Sequence, residues 1–163
     1  MITQEELKEF VSYDPETGIF RWIKKTGRKG YIGKEVGSKH SRGYKDAKIN
    51  GKHIFLHRAA WLYMTGSFPV DQIDHKNGDR SDNRWENLRE ACQQQNSANM
   101  KMRKNNKSGL KGVSLYPKGN RWRAFIHIDY KTKYLGSFLS KEEAHAAYIE
   151  AAQLKHGEFA RIV

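Results

Sequence analysis

Cysteine, proline and long apolar runs are scarce in this chain. The single cysteine, Cys92, excludes an intrachain disulfide and any multi-cysteine zinc site, and it fits a reducing, intracellular setting. No apolar run approaches the ~18 residues of a membrane-spanning helix. Met1 is followed by polar Thr3-Gln4-Glu5-Glu6 rather than by the apolar core of a signal peptide. Acids are short as well: 18 Asp and Glu face 30 Lys and Arg, for a net charge of +12. That balance predicts a polyanionic partner, nucleic acid rather than a membrane surface. With 37% hydrophobic residues over 163 positions, the chain can fill small cores but not one large one, in one domain or two.

The charge is unevenly placed. Residues 1–70 hold thirteen Lys and Arg against seven acids, and residues 102–163 hold twelve against five. Residues 71–101 hold five against six. An acidic island thus lies between two basic arms. A surface that only binds phosphate has little use for acids at its centre, whereas a metal site acting on phosphate does. Asp79, Asp82, Glu86 and Glu90 fit ordinary loop and cap positions equally well.

Local signals place the elements. Thr3 and Glu6 form a capping box for a short helix through Leu7, Phe10 and Val11. A turn at Asp14-Pro15-Glu16-Thr17-Gly18 leads into an alternating strand, Ile19–Ile23. Lys24 to Gly43 reads as a flexible basic loop able to follow a phosphate backbone, with Lys24, Lys25, Arg28 and Lys29 as DNA contacts. Asn50-Gly51 marks a hairpin between Tyr44–Ile49 and His53–Leu56. His57 to Met64 reads as a helix, with Trp61 in the core and His57 as a hydrogen-bonded structural residue.

Gln72–His75 should be extended and Lys76–Asn83 a polar loop. A short segment at Asn87–Arg89 and a helix from Ala91 to about Lys101 follow, the helix carrying Cys92, Asn96 and Asn99 on one face. This order would bring Asp74, His75 and Asn96 together. A carboxylate and a carboxamide are hard oxygen donors suited to Mg2+, and the neighbouring imidazole can serve as general base for metal-assisted hydrolysis.

Met102–Gly109 reads as a basic linker, with Arg103, Lys104 and Lys107 against DNA. Beyond it, Gly112–Tyr116, Trp122–Ile128 and Lys133–Phe138 alternate as strands, with turns at 117–120 and at Asp129-Tyr130-Lys131. Ser140 caps a helix whose Ala144, Ala147, Tyr148, Ala151 and Ala152 form a stripe that can lie close on a three-stranded sheet, and Gly157 ends it. Arg121, Arg123, His127, Lys131 and Lys133 are the expected contacts of that sheet with DNA.

The run Ile73-Asp74-His75-x-x-Gly78-x-x-x-Asp82-Asn83-Arg84-x-x-Asn87-Leu88-Arg89, followed by Asn96 and Asn99, closely resembles phage and bacterial HNH endonucleases of the homing type. So do Tyr13–Phe20, Asn50-Gly51-Lys52 and His57–Trp61 ahead of it. The resemblance covers roughly the first hundred residues. It implies an α+β fold with a ββα-metal core at about 70–101, inside a nuclease domain of residues 1–101 with an N-terminal β-rich extension. It also implies Asp74 as metal-binding acid, His75 as general base and Asn87 as the residue that orients it. Asn96 stands where many relatives carry a histidine ligand, an HNN variant favouring one Mg2+ or Mn2+ over zinc. Arg80, Arg84 and Arg89 are candidate phosphate clamps, although Arg84 and Arg89 suit structural pairing with Glu86 and Glu90 equally.

After a linker at 102–110, residues 111–163 resemble the AP-two/ERF type of DNA-binding domain. The matching residues are Gly112-Val113, Trp122-x-Ala124-x-Ile126, Leu135-Gly136-x-Phe138, Glu142-Glu143-Ala144-x-x-Ala147-Tyr148 and Ala151-Ala152. Ser114 and Tyr134 replace residues usual in the plant domains, so the fold transfers and the target sequence does not.

The resemblances imply a Mg-dependent endonuclease acting on double-stranded DNA, encoded by a phage or prophage and working in the bacterial cytoplasm; its oligomeric state is left open, with a monomer favoured. The rival expectations are a sequence-specific DNA-binding regulator without catalysis and an RNA-binding or RNA-processing protein.

Overall fold

The computed structural model describes residues 1–25, 32–103, 105–117 and 119–162. The fold is mixed α and β, built of small antiparallel sheets and four α-helices. Its residues form two compact units, Met1–Ala91 and Cys92–Val163. This division falls ahead of the basic stretch at 102–110 that the sequence suggested as a linker.

The first unit begins with α1 (Gln4–Phe10), closed by the expected capping box: Thr3 Oγ1 accepts from the Glu6 amide, and Glu6 Oε2 accepts from the Thr3 amide. The hairpin of β1 (Val11–Asp14) and β2 (Ile19–Trp22) follows, pairing Tyr13 with Phe20. A second sheet has the order β3 (Ser38–Lys39), β4 (Lys45–Ile49), β5 (Lys52–Phe55). Asn50 and Gly51 join β4 to β5 with φ of 47° and 75°, the left-handed pair that a two-residue hairpin turn requires. Helix α2 (Leu56–Thr65) runs on from β5 and stops at left-handed Gly66, whose amide caps the Leu62 carbonyl.

The core of this unit collects Leu7, Val11, Phe20, Val36, Ile49, Leu56, Ala59, Ala60, Ile73 and Leu88. Trp61 packs against it from the edge, half-buried. The pair β6 (Gln72–His75) and β7 (Leu88–Ala91) completes the unit, with Asp74 opposite Arg89 and His75 opposite Leu88.

The second unit opens on α3 (Gln93–Ala98), shorter at both ends than the sequence suggested. Cys92 is its N-cap, the Cys92 amide donating to Gln95 Oε1, and Asn99 is its C-cap. Lys111 Nζ donates to the carbonyls of Ala98 (2.7 Å) and Met100 (2.8 Å), which ties the chain after α3 to the start of the next sheet. Burial lowers the Lys111 ammonium to about 8.

That sheet is β8 (Val113–Leu115), β9 (Trp122–Ile128) and β10 (Lys131–Phe138), with β9 in the middle. The β9–β10 turn is only Asp129-Tyr130, both at positive φ, so Lys131 belongs to the strand and not to the turn. Helix α4 (Lys141–His156) is N-capped by Ser140 and buries Ala144, Tyr148 and Ala152 against Val113, Ala124 and Ile126. The alanine stripe and Gly112 let helix and sheet meet closely: a Cβ on Gly112 would lie 2.1 Å from the Tyr148 ring. The three-stranded sheet on one helix is therefore present as the alternation predicted.

Candidate active site

The loop that leaves His75 is built from side chains that cap the backbone two residues ahead. Asn77 Oδ1 accepts from the Asp79 amide (2.8 Å), Asp79 Oδ1 from the Ser81 amide (2.9 Å) and Asp82 Oδ1 from the Arg84 amide (3.2 Å). Asn and Asp form such turns readily because their short side chains reach their own chain. Asp79 and Asp82 are thus turn-formers, the plainer of the two roles open to them in the sequence. Arg84 grips Asp82 through Nε (2.9 Å) and Nη2 (2.7 Å) and reaches Glu86 at 3.1 Å. The guanidinium beside Asp82 pulls its carboxyl down to about 2.

Asn87 closes this loop. Its Oδ1 accepts from the Asn77 amide (3.0 Å) and its Nδ2 donates to the Asp82 carbonyl (2.8 Å). The carboxamide at the His75 ring belongs instead to Asn83, whose Oδ1 stands 3.4 Å from His75 Nε2. Asn87 therefore shapes the backbone that follows His75, and Asn83 meets the imidazole.

Asn83 is 1% exposed and is held from a distance. Tyr13 Oη donates to its carbonyl at 2.7 Å across seventy positions of sequence. Burial pushes the Tyr13 hydroxyl up, helped by Asp14 and Asp82, so it remains a donor. Gly18 in the β1–β2 turn presses on the same backbone: a Cβ there would lie 2.4 Å from the Arg84 nitrogen. The Trp85 amide donates to the Pro15 carbonyl at 2.9 Å. The run Asp82-Asn83-Arg84 marked this residue without assigning it a role, and no local signal links it to Tyr13 or Gly18.

His75 is 4% exposed. Burial lowers its pKa, against the opposing pull of the Asn83 hydrogen bond and of Asp74, Asp79 and Asp82. The imidazole is thus neutral near pH 7. His57, in the first turn of α2, lies with its ring 5.3 Å from that of His75, and Tyr44 lies 4.9 Å from His57 and 6.0 Å from His75. Burial, the neighbouring His75 and Arg58 drive His57 down to about 3. Its Nδ1 is buried without a hydrogen-bond partner, which departs from the hydrogen-bonded role expected for it. His57 is a neutral aromatic wall.

Asp74 is 4% exposed and ion-paired: Arg89 brings Nε to 2.9 Å and Nη2 to 2.8 Å of its Oδ2. The acid paired with Arg89 is therefore Asp74. Glu90 takes a different partner, the Val70 amide at 2.8 Å. Asn96 lies on α3 in the second unit, half-buried. Among the described residues no three His, Cys, Asp or Glu side chains cluster as a metal cage. The donor chemistry still fits a hard cation: a buried carboxylate suits an ion that completes its shell from water and substrate phosphate.

The cationic residues divide. Lys24 pairs with Glu9 and sits over the Phe10 ring, and Lys25, Arg103 and Lys107 are exposed. Arg80 lies over Tyr44 at 5.0 Å with Nη1 on the Arg42 carbonyl. Arg28, Lys29 and Lys104 lie outside the described residues. Arg121 is held by Ser137 Oγ (3.0 Å) and the Ser137 carbonyl (3.1 Å). Arg123 and His127 share one sheet face, whereas the register sets Lys131 opposite Ile128 and Lys133 opposite Ile126, toward the face that α4 covers. The five expected sheet contacts thus do not form one patch. No helix among the described residues is long and apolar enough to cross a membrane.

Two comparisons bear on this geometry. The profile described as HNH endonuclease matches residues 55–98, the span from the end of β5 to α3 that holds His57, Asp74, His75, Asn83, Asn87 and Asn96. The chain is also 34% identical over 108 residues to "Protein 3.8" of Escherichia phage T7, covering 64% of this chain and 87% of that relative. Residues 55–98 thus carry an HNH endonuclease domain, and the chain belongs to one family with "Protein 3.8" of phage T7.

Proposed function

We propose that this protein is a metal-dependent endonuclease that hydrolyses phosphodiester bonds in double-stranded DNA, with His75 as general base. The observation that carries the reading is His75 itself: buried, neutral and braced by Asn83 next to the Arg89-clamped Asp74. Asn83 Oδ1 lies beside His75 Nε2 and holds the ring, and the neutral imidazole would take a proton from the attacking water. The water oxygen bonds to phosphorus as the P–O3′ bond breaks, leaving 5′-phosphate and 3′-hydroxyl ends. Asp74 would hold one Mg2+ or Mn2+ ion. That ion supplies Lewis-acid stabilisation of the phosphate and the leaving oxygen. Asn87 and the nested turns fix the loop behind the histidine, and Arg80 is an exposed cation close by in sequence.

The chain order β6, loop, β7, α3 follows the strand–strand–helix order of a ββα-metal core. Basic residues outside the site, among them Lys24, Lys25, Arg103 and Lys107, would neutralise backbone phosphates. A supercoiled-plasmid assay tests the reading. Wild type with Mg2+ should convert plasmid to nicked or linear forms, chelator should stop it, and His75→Ala should slow it by about 10²-fold or more while DNA binding persists. Wild type that binds duplex DNA and leaves it uncut under every divalent ion tried would make the protein a non-catalytic DNA-binding regulator.

A further inference from the structure

One face of the β8–β9–β10 sheet lies under α4, and the other carries an unusual set of residues. The register puts Ser114 and Ser137 beside Arg123, Tyr134 beside Phe125 and Thr132 beside His127 on that second face. Phe125 and Tyr134 are neighbours at 5.5 Å between ring centroids. The Arg123 guanidinium lies over Tyr116 at 4.9 Å and over Phe125 at 5.3 Å, between the two rings. Tyr134 is 57% exposed and Tyr116 44%. None of these residues is acidic, and residues 102–163 hold twelve Lys and Arg against five acids. Arg123 Nε is buried without a hydrogen-bond partner, so the cation is positioned by its rings and has a polar group unmet within the protein.

We infer that this open face is a stacking platform for the unpaired bases of single-stranded DNA. Charge selects a polyanion over an apolar protein surface. The rings then select among polyanions. A duplex presents base edges in its grooves and keeps its base faces stacked inside, so exposed aromatic rings have nothing to stack on. An unpaired strand offers a π-face with every base, and alternating aromatics and arginines on an open sheet suit it. The inference goes beyond the proposed cleavage of duplex DNA and does not depend on His75. It gives the second unit a way to hold a strand that has lost its partner, as at a nick or an opened segment.

The test is fluorescence anisotropy on the full chain in chelator, which keeps cleavage out of the measurement. The probes are a short mixed-sequence DNA strand, the duplex made from it and an RNA strand of the same sequence. Tyr134→Ala should weaken single-stranded DNA binding roughly tenfold and change duplex binding by less than about twofold, while Tyr134→Phe keeps wild-type affinity. Tyr134 is exposed, so the truncation leaves the fold in place, which a matched circular-dichroism melt verifies. Phe125→Leu, which keeps the buried volume and removes the ring, should reproduce the loss. An equal loss on duplex and single strand overturns the inference, as does no loss on the single strand. Tighter ring-dependent binding of the RNA overturns the assignment to DNA. A protein that fails to nick plasmid but passes this test loses the nuclease reading and keeps the platform.

Discussion

Arg89→Ala is the most informative single change in the first unit. In a sequence reading Arg89 is a candidate phosphate clamp; in the structure it is the partner of a buried acid. The side chains of Arg89 and Asp74 are 11% and 5% exposed, joined by contacts of 2.9 and 2.8 Å to one carboxylate oxygen. Removing one partner of a buried ion pair typically costs about 3–5 kcal/mol, because the other charge stays behind in a poorly solvated place. A domain of this size holds roughly 5–15 kcal/mol in all, so the variant should lose a large part of its stability. Asp74→Ala should cost a comparable amount. The double variant should be destabilised by at least about 1 kcal/mol less than the two singles added together, since it strands neither charge.

Urea titration followed by tryptophan fluorescence and circular dichroism measures all four proteins. DNA binding in chelator supplies an independent check. A phosphate contact contributes roughly 0.9 to the slope of log affinity against log salt. Arg89→Ala should therefore leave that slope unchanged at urea-free conditions where the variant is folded. Additive single-site losses, or a slope reduced by about one phosphate, would refute the structural role argued for Arg89.

Acid should unfold the first unit early. His57 titrates near 6.5 when unfolded and at about 3 when folded, so below pH 6.5 the unfolded chain binds a proton that the folded one refuses. Stability falls from pH 6.5 down to about 3 and then levels, with a loss from this group of roughly 2 kcal/mol by pH 5. His57→Phe should flatten that dependence in urea midpoints read at pH 7.5 and 5. The nicking rate should begin to fall at lower pH than an ordinary histidine would set, because burial lowers the His75 pKa; a rate profile falling already above pH 7 would contradict a lowered His75. Gly112→Ala should unfold the second unit, since φ is +76° and the new Cβ meets the Tyr148 ring at 2.1 Å, and the far-UV melt should lose its contribution.

Elements with local causes were legible in the sequence. Thr3 and Glu6 announced α1, Asn50-Gly51 the β4–β5 turn, and Ser140 with the alanine spacing announced α4. Each signal acts within a few residues, where cap and turn chemistry decide the backbone. Asp74 and His75 were readable as a pair for the same reason. The partners of that pair were not. Arg89 reaches Asp74 through strand register, and Asn83 reaches His75 through a loop whose shape depends on Tyr13 and Gly18 far upstream.

Register also explains the split of the five sheet cations. A two-residue turn at Asp129-Tyr130 pairs His127 with Thr132 and Phe125 with Tyr134. Up to the register shift after Tyr134, odd positions on β9 therefore share a face with even positions on β10, which sends Lys131 and Lys133 to the other side. Counting the turn one residue longer conceals this.

The Tyr13–Asn83 hydrogen bond bears on how such a nuclease can be inherited or engineered. The match to the HNH model begins at residue 55, yet the hydrogen bond that holds the Asn83 backbone beside His75 begins at residue 13. A fragment cut to the matched span would carry Asp74, His75 and Asn87 but would lose the hydroxyl and the glycine turn that hold Asn83 in place. The smallest transplantable cassette is thus larger than the motif by which it is recognised. Grafting the motif alone onto another scaffold should give a histidine with the right neighbours in sequence and the wrong stiffness in space.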